Sequence, residues 1–76
     1  MRRRMAQHPK AVSLDEARRV LEAYGWSLLR VTGSHHIFRA SGRNLSIPRR
    51  RPHILPTYVK DILQATEGKD DDDDDA

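Results

Sequence analysis

Cysteine is absent from this 76-residue chain, which excludes disulfides, thiolate nucleophiles and cysteine-based zinc sites. Long apolar runs are missing as well. None approaches the roughly 20 residues that span a bilayer, and the arginine-rich start is not followed by the apolar segment of a signal peptide. The expectation is a soluble cytoplasmic protein stabilised by packing alone. At this length the chain has room for one small domain, near the lower limit at which a single core suffices, and none for a separate substrate domain. Internal repeats are also lacking.

Acid is scarce outside one place, because six of the eleven acidic residues occupy positions 70–75. Without those six, the formal charge of +3 becomes +9. The positive charge is also clustered, at Arg2-Arg3-Arg4, Arg18-Arg19 and Arg49-Arg50-Arg51. So basic a body suits a polyanion, of which nucleic acid is the commonest. A membrane surface fits less well, since no helical stretch combines a basic face with large apolar residues.

Positions 1–12 are polar and basic, contain Pro9 and show no sustained period, so they are expected to form a mobile basic arm. Ser13-Leu14-Asp15-Glu16 then fits a capping box. Leu14, Ala17, Val20, Leu21 and Tyr24 follow at helical spacing, and Gly25 closes the helix. Strands are expected over 26–32, where Leu28-Leu29 blurs the alternation, over 35–40, and over 44–47 after a tight turn at Ser41-Gly42. Pro48 ends the third strand, 49–55 is a loop, and Pro56 takes the first position of a second helix. Val59, Ile62, Leu63 and Thr66 form the inner stripe of that helix, and Gly68 is its stop. The order is α-β-β-β-α, an α+β domain over 13–68: a three-stranded antiparallel sheet with two helices on one face. Residues 69–76 are an acidic tail that cannot bury enough apolar area to fold.

Chemistry concentrates at Gly33-Ser34-His35-His36-Ile37-Phe38. Gly33 can take backbone angles closed to other residues, Ser34 brings a hydroxyl, and histidine is the side chain whose ordinary pKa lies closest to neutral. Alternation puts His36, Phe38 and Ala40 on one face of the strand and His35, Ile37 and Arg39 on the other. Phe38 marks its own face as core, so His36 is structural while His35 and Arg39 point outward. On residues alone His35 is an exposed strand histidine without a role. A metal site is excluded, because adjacent His35 and His36 diverge and no pair has the helical spacing of zinc ligands. Ser34 lacks a nucleophile-elbow pattern. Tyr24 and Trp26 offer stacking surfaces, but their positions assign them to the core. His8, in the basic arm, is a solvent residue.

Two features together, Gly33-Ser34-His35 followed by Phe38 and a strand ending at Ile47-Pro48 before basic residues, resemble the HicA family of small bacterial toxins. The resemblance covers about 14–67. It implies a double-stranded-RNA-binding-domain-like fold and the activity of a metal-independent, cofactor-free ribonuclease that cleaves messenger RNA. A HicB-type antitoxin is the implied partner. His35 matches the family's catalytic histidine, which would serve attack of a ribose 2′-hydroxyl on the adjacent phosphate. Gly33 and Ser34 would hold that phosphate, with Arg39, Arg49, Arg50 and Arg51 as further RNA contacts. Many members carry a histidine two positions after the strand-ending proline. Here that position is Arg50, which leaves the second acid–base partner open, with His53 the only nearby substitute. Two rival readings remain: a non-catalytic RNA-binding module of the same fold, and a basic adaptor for an acidic protein.

Overall fold

Ser13 starts the first long helix as its sequence suggests, its Oγ accepting from the Glu16 amide at 3.1 Å. The structure, a computed structural model, describes residues 2–67. Its elements are α1 (Arg2–Gln7), α2 (Leu14–Ala23), β1 (Ser27–Thr32), β2 (His35–Ala40), β3 (Arg43–Pro48) and α3 (Pro56–Ala65). Helix α2 ends in a Schellman motif: Gly25, at φ +93°, donates to Glu22 O, and Trp26 donates to Leu21 O at 2.9 Å. Those two bonds satisfy carbonyls that a helix end leaves orphaned, and they carry Trp26 back under Leu21 into the core.

The strands form one antiparallel sheet in the order β1-β2-β3. Both connections are two-residue hairpin turns. Gly33 has φ +61° at the first position of one, and Ser41 and Gly42 have φ +50° and +81° in the other. Positive φ at these positions is what the right-handed twist of paired strands selects. Between Leu28 and Arg30 the register slips, so Leu29 is a bulge residue and 44% exposed. This bulge explains why Leu28-Leu29 breaks the alternation: Leu28 pairs with Phe38 over the core and Arg30 pairs with Ile37 on the opposite face.

Phe38 and Ile47 are fully buried with Val20, Leu21, Val59 and Ile62. The two long helices therefore cover one face of the sheet, and the expected α-β-β-β-α domain is the fold. Glu16 departs from the capping-box pattern. Its carboxylate is held by Arg4 Nη1 at 2.6 and 2.8 Å.

That ion pair belongs to a larger correction. Residues 1–12, expected as a mobile arm, fold onto the domain over their described part. Met5 and Val12 are fully buried in the core. Arg2 donates from Nε to Thr66 Oγ1 and from Nη2 to Leu63 O, both at 2.8 Å. A guanidinium is well suited to this place, since the last turn of a helix presents unpaired carbonyls and the negative end of its dipole. Val12 O in turn accepts from the Ile54 amide at 2.9 Å. The domain thus begins by Arg2, not at Ser13. Gly68 and the acidic tail over 69–76 lie outside the described residues.

Met5→Ala tests this docking. Truncating a fully buried methionine costs about 2–5 kcal/mol, a large share of the ~5–15 kcal/mol typical of a domain. Urea unfolding should show that loss, while Arg3→Ala, at an exposed position, stays within about 0.5 kcal/mol of the parent. Equal midpoints for the Met5→Ala variant and the parent would free the segment.

Candidate functional site

His35 is the first residue of β2, the central strand, directly after the Gly33-Ser34 turn. It is exposed and lies opposite Thr32 on one side and Pro48 on the other. Alternation from buried Phe38 turns it to the open face of the sheet, as expected. Just beyond the paired Pro48, the Arg49 amide donates to Ser34 O at 2.6 Å. That bond fastens the start of the arginine loop to the hairpin tip. Gly33, Ser34, His35 and Arg49 are therefore gathered at one end of the sheet by backbone pairing alone.

Arg39 is on the same open face and exposed, four residues along the strand from His35, or about 14 Å at ~3.4 Å per residue. Between them in register is Arg30, opposite Ile37, a residue that motif and charge clustering do not single out. Its signal is nonetheless present: Arg30 is two residues from Thr32 and shares its face. A second signal is present as well. From Trp26 to Leu55 the sequence contains six arginines and three histidines but no aspartate or glutamate. The described acids, Asp15, Glu16, Glu22, Asp61 and Glu67, all lie on or at the end of α2 and α3. One of the six arginines, Arg43, is directed otherwise, with its guanidinium 5.7 Å from the centre of the Trp26 ring.

Arg50 and Arg51 are exposed beside Arg49. Arg50 Nη1 turns back to donate to His53 O at 3.3 Å, which braces the loop. The His53 residue is half-buried and His8 is exposed. His36 is on the covered side, where it lines a cleft of about 170 Å³ with Leu14, Asp15, Arg18 and Phe38. Its Nδ1 is buried without a hydrogen-bond partner. Tyr24 and Trp26 pack with the core. Among the described residues, no group of three histidines or acids is placed to hold a metal ion, and no helix is long and apolar enough to cross a membrane.

An α+β domain that covers one side of its sheet with helices, and leaves the other side basic and acid-free, is the class this geometry defines. Residues 14–67 match the family described as the HicA toxin of bacterial toxin–antitoxin systems. With most of its length inside that match, the chain belongs to the HicA toxin family, as its Gly33-Ser34-His35 motif suggests. It is a toxin, and an antitoxin is its partner. No curated protein and no solved structure matches it. Helix α1 lies outside the matched span.

The turn that presents His35 depends on Gly33. A Cβ there would meet no atom within 4 Å, so the cost of a side chain is conformational only. Gly33→Val should lower stability by about 1–3 kcal/mol through strain at positive φ. Thermal unfolding checks it, and an unchanged midpoint would show that the turn readily adopts another form.

Proposed function

We propose that this toxin is a metal-independent endoribonuclease acting on messenger RNA, with His35 as its acid–base group. The observation that carries the reading is the bond from the Arg49 amide to Ser34 O. It sets a cationic loop beside an outward imidazole at the mouth of a hairpin. A phosphate seated there would be met by the exposed Gly33-Ser34 turn and by Arg49 and Arg51, with Arg30 and Arg39 engaging the strand further along. His35 takes the proton of a ribose 2′-hydroxyl as its oxygen attacks the adjacent phosphorus, or returns one to the departing 5′-oxygen. A positioned group of this kind supplies about 10²–10⁴-fold in rate. The enzyme is correspondingly slow, which suits a growth-arresting toxin whose targets are few and vital. Its work would be cytoplasmic, where messenger RNA is translated. An acidic HicB-type antitoxin would silence it by covering His35 and the surrounding arginines.

Arg50, standing where many members carry histidine, favours one other reading, an RNA-binding module without catalysis. His35→Ala separates the two. The residue is exposed, so the variant should fold with stability within about 0.5 kcal/mol of the parent. RNA cleavage without added metal, and toxicity in cells, should fall by at least about 10²-fold. A folded variant that cleaves at the parental rate would remove His35 from the chemistry. A parent that binds RNA and never cleaves it would establish the binding module.

The arginine loop has its own readout. Neutralising Arg49 and Arg51 should flatten the dependence of log affinity on log salt by about 0.7 for each single-strand phosphate that the variant no longer neutralises. An unchanged slope would make them solvated loop residues.

A further inference from the structure

Two charge distributions in this chain complement each other. The open face of the sheet and its adjoining loop present Arg30, Arg39, Arg49, Arg50, Arg51 and His35, with no acid in the sequence from Trp26 to Leu55. The described ion pairs occur elsewhere, as Arg4–Glu16, Arg18–Glu22 and Arg19–Asp15. Positions 70–75 are six consecutive aspartates, begun three residues beyond Glu67. We propose that this aspartate run occupies the basic open face of its own chain as a substrate mimic, its carboxylates taking the places of RNA phosphates.

Reach allows it. The last aspartate is eight residues from Glu67, and an extended chain of eight residues spans up to about 27 Å. The folded body is 16 Å through its thinnest dimension. The contour of the run exceeds that thickness, which is what the proposal requires of its outer aspartates. The cations nearest the end of α3 compete poorly. Arg2 is engaged with Leu63 O and Thr66 Oγ1 and Arg4 with Glu16, which leaves Arg3 and Lys60, both exposed, against Arg30, Arg39, Arg49 and Arg51. A short tether supplies an effective concentration on the order of 1 mM. Intrinsic affinity of about 0.1 mM is then enough to fill the face roughly ten to one. Solvent-exposed charges are screened beyond about 8 Å at physiological salt, so occupancy falls as salt rises and RNA or antitoxin displaces the run. The surface is shared with the nuclease reading, but the first readout needs no RNA.

Full-length protein is compared with a variant carrying all six changes Asp70→Asn to Asp75→Asn, which keeps the chain length. At low salt the side-chain N–H resonances of Arg30, Arg39, Arg49 and Arg51 should differ between the two, and the differences should vanish in about 0.5 M salt. The Asn variant should bind a single-stranded deoxyoligonucleotide, a polyanion lacking the 2′-hydroxyl, about tenfold tighter at low salt, with the gap closing as salt is added. Differences confined to Arg3 and Lys60, or none, would overturn the proposal. Differences that scale with protein concentration would assign the aspartates to a second copy and overturn it likewise. Loss of RNA cleavage in the parent, with the arginine shifts intact, would sink the nuclease reading and leave this one standing.

Discussion

Phe38 decides which way this protein faces. It is fully buried beneath the helices at the centre of the middle strand, and a strand has only two faces. With Phe38 fixed inward, His36 must lie on the covered side and His35 and Arg39 on the open one. A slip of one residue would bury His35 and expose Phe38, exchanging a transfer gain of about 1.5–3 kcal/mol for the cost of a desolvated imidazole. The register of the sheet is thus enforced by the core and not by the residues of the candidate site. Those residues are free to be polar, exposed and chemically useful because they contribute little to holding the strand in place.

The same division organises charge. Helices α2 and α3 carry acids among their bases, which suits helices whose outer faces meet water and whose side chains pair at i, i+4, as Arg18–Glu22 and Arg19–Asp15 do. Exposed pairs of this kind contribute little stability, but they leave the helical side near neutrality. The sheet and its loops carry no acid at all. A field of one sign then builds over the open face, next to which the Arg49 amide ties the arginine loop to the hairpin. Helix α1 contributes by position, since Arg2 and Arg4 are spent on α3 and α2 and add less to that field than their number suggests.

What could be read from the sequence was whatever is decided locally. The Ser13 cap, the Gly25 stop, both hairpins and the Pro56 start are choices made within four or five residues, and each stands where its residue type places it. What could not be read was decided by distant partners. Arg2–Gln7 carries one large apolar residue among three arginines and has no helical stripe of its own. It is a helix because Met5 finds the core and Arg2 finds the end of α3, 61 and 64 residues away in sequence. Glu16 abandons its local capping role for the same reason, since Arg4 arrives from α1. The bulge at Leu29 left its trace as two adjacent leucines, but a broken alternation does not say which residue is extruded. Within the candidate site, His35 and the arginine loop were legible from motif and charge. Arg30 was legible only by counting back from Thr32, since counting forward across the bulge puts it on the other face.

Arg50 bears most directly on how such a site would work. Where many family members carry histidine, this chain has a guanidinium, a hydrogen-bond donor with no acceptor, turned back onto the His53 carbonyl. In the proposed reading the loop serves as a braced cationic rim. In the proposed reaction His35 moves protons while Arg49 and Arg51 stabilise charge on the phosphate. The two kinds of help are separable, since electrostatic stabilisation requires no proton transfer and acts at any pH where the guanidinium is charged. Under the proposed reading, a toxin built this way would rely on cationic grip on its substrate, the same grip that the aspartate run is proposed to occupy.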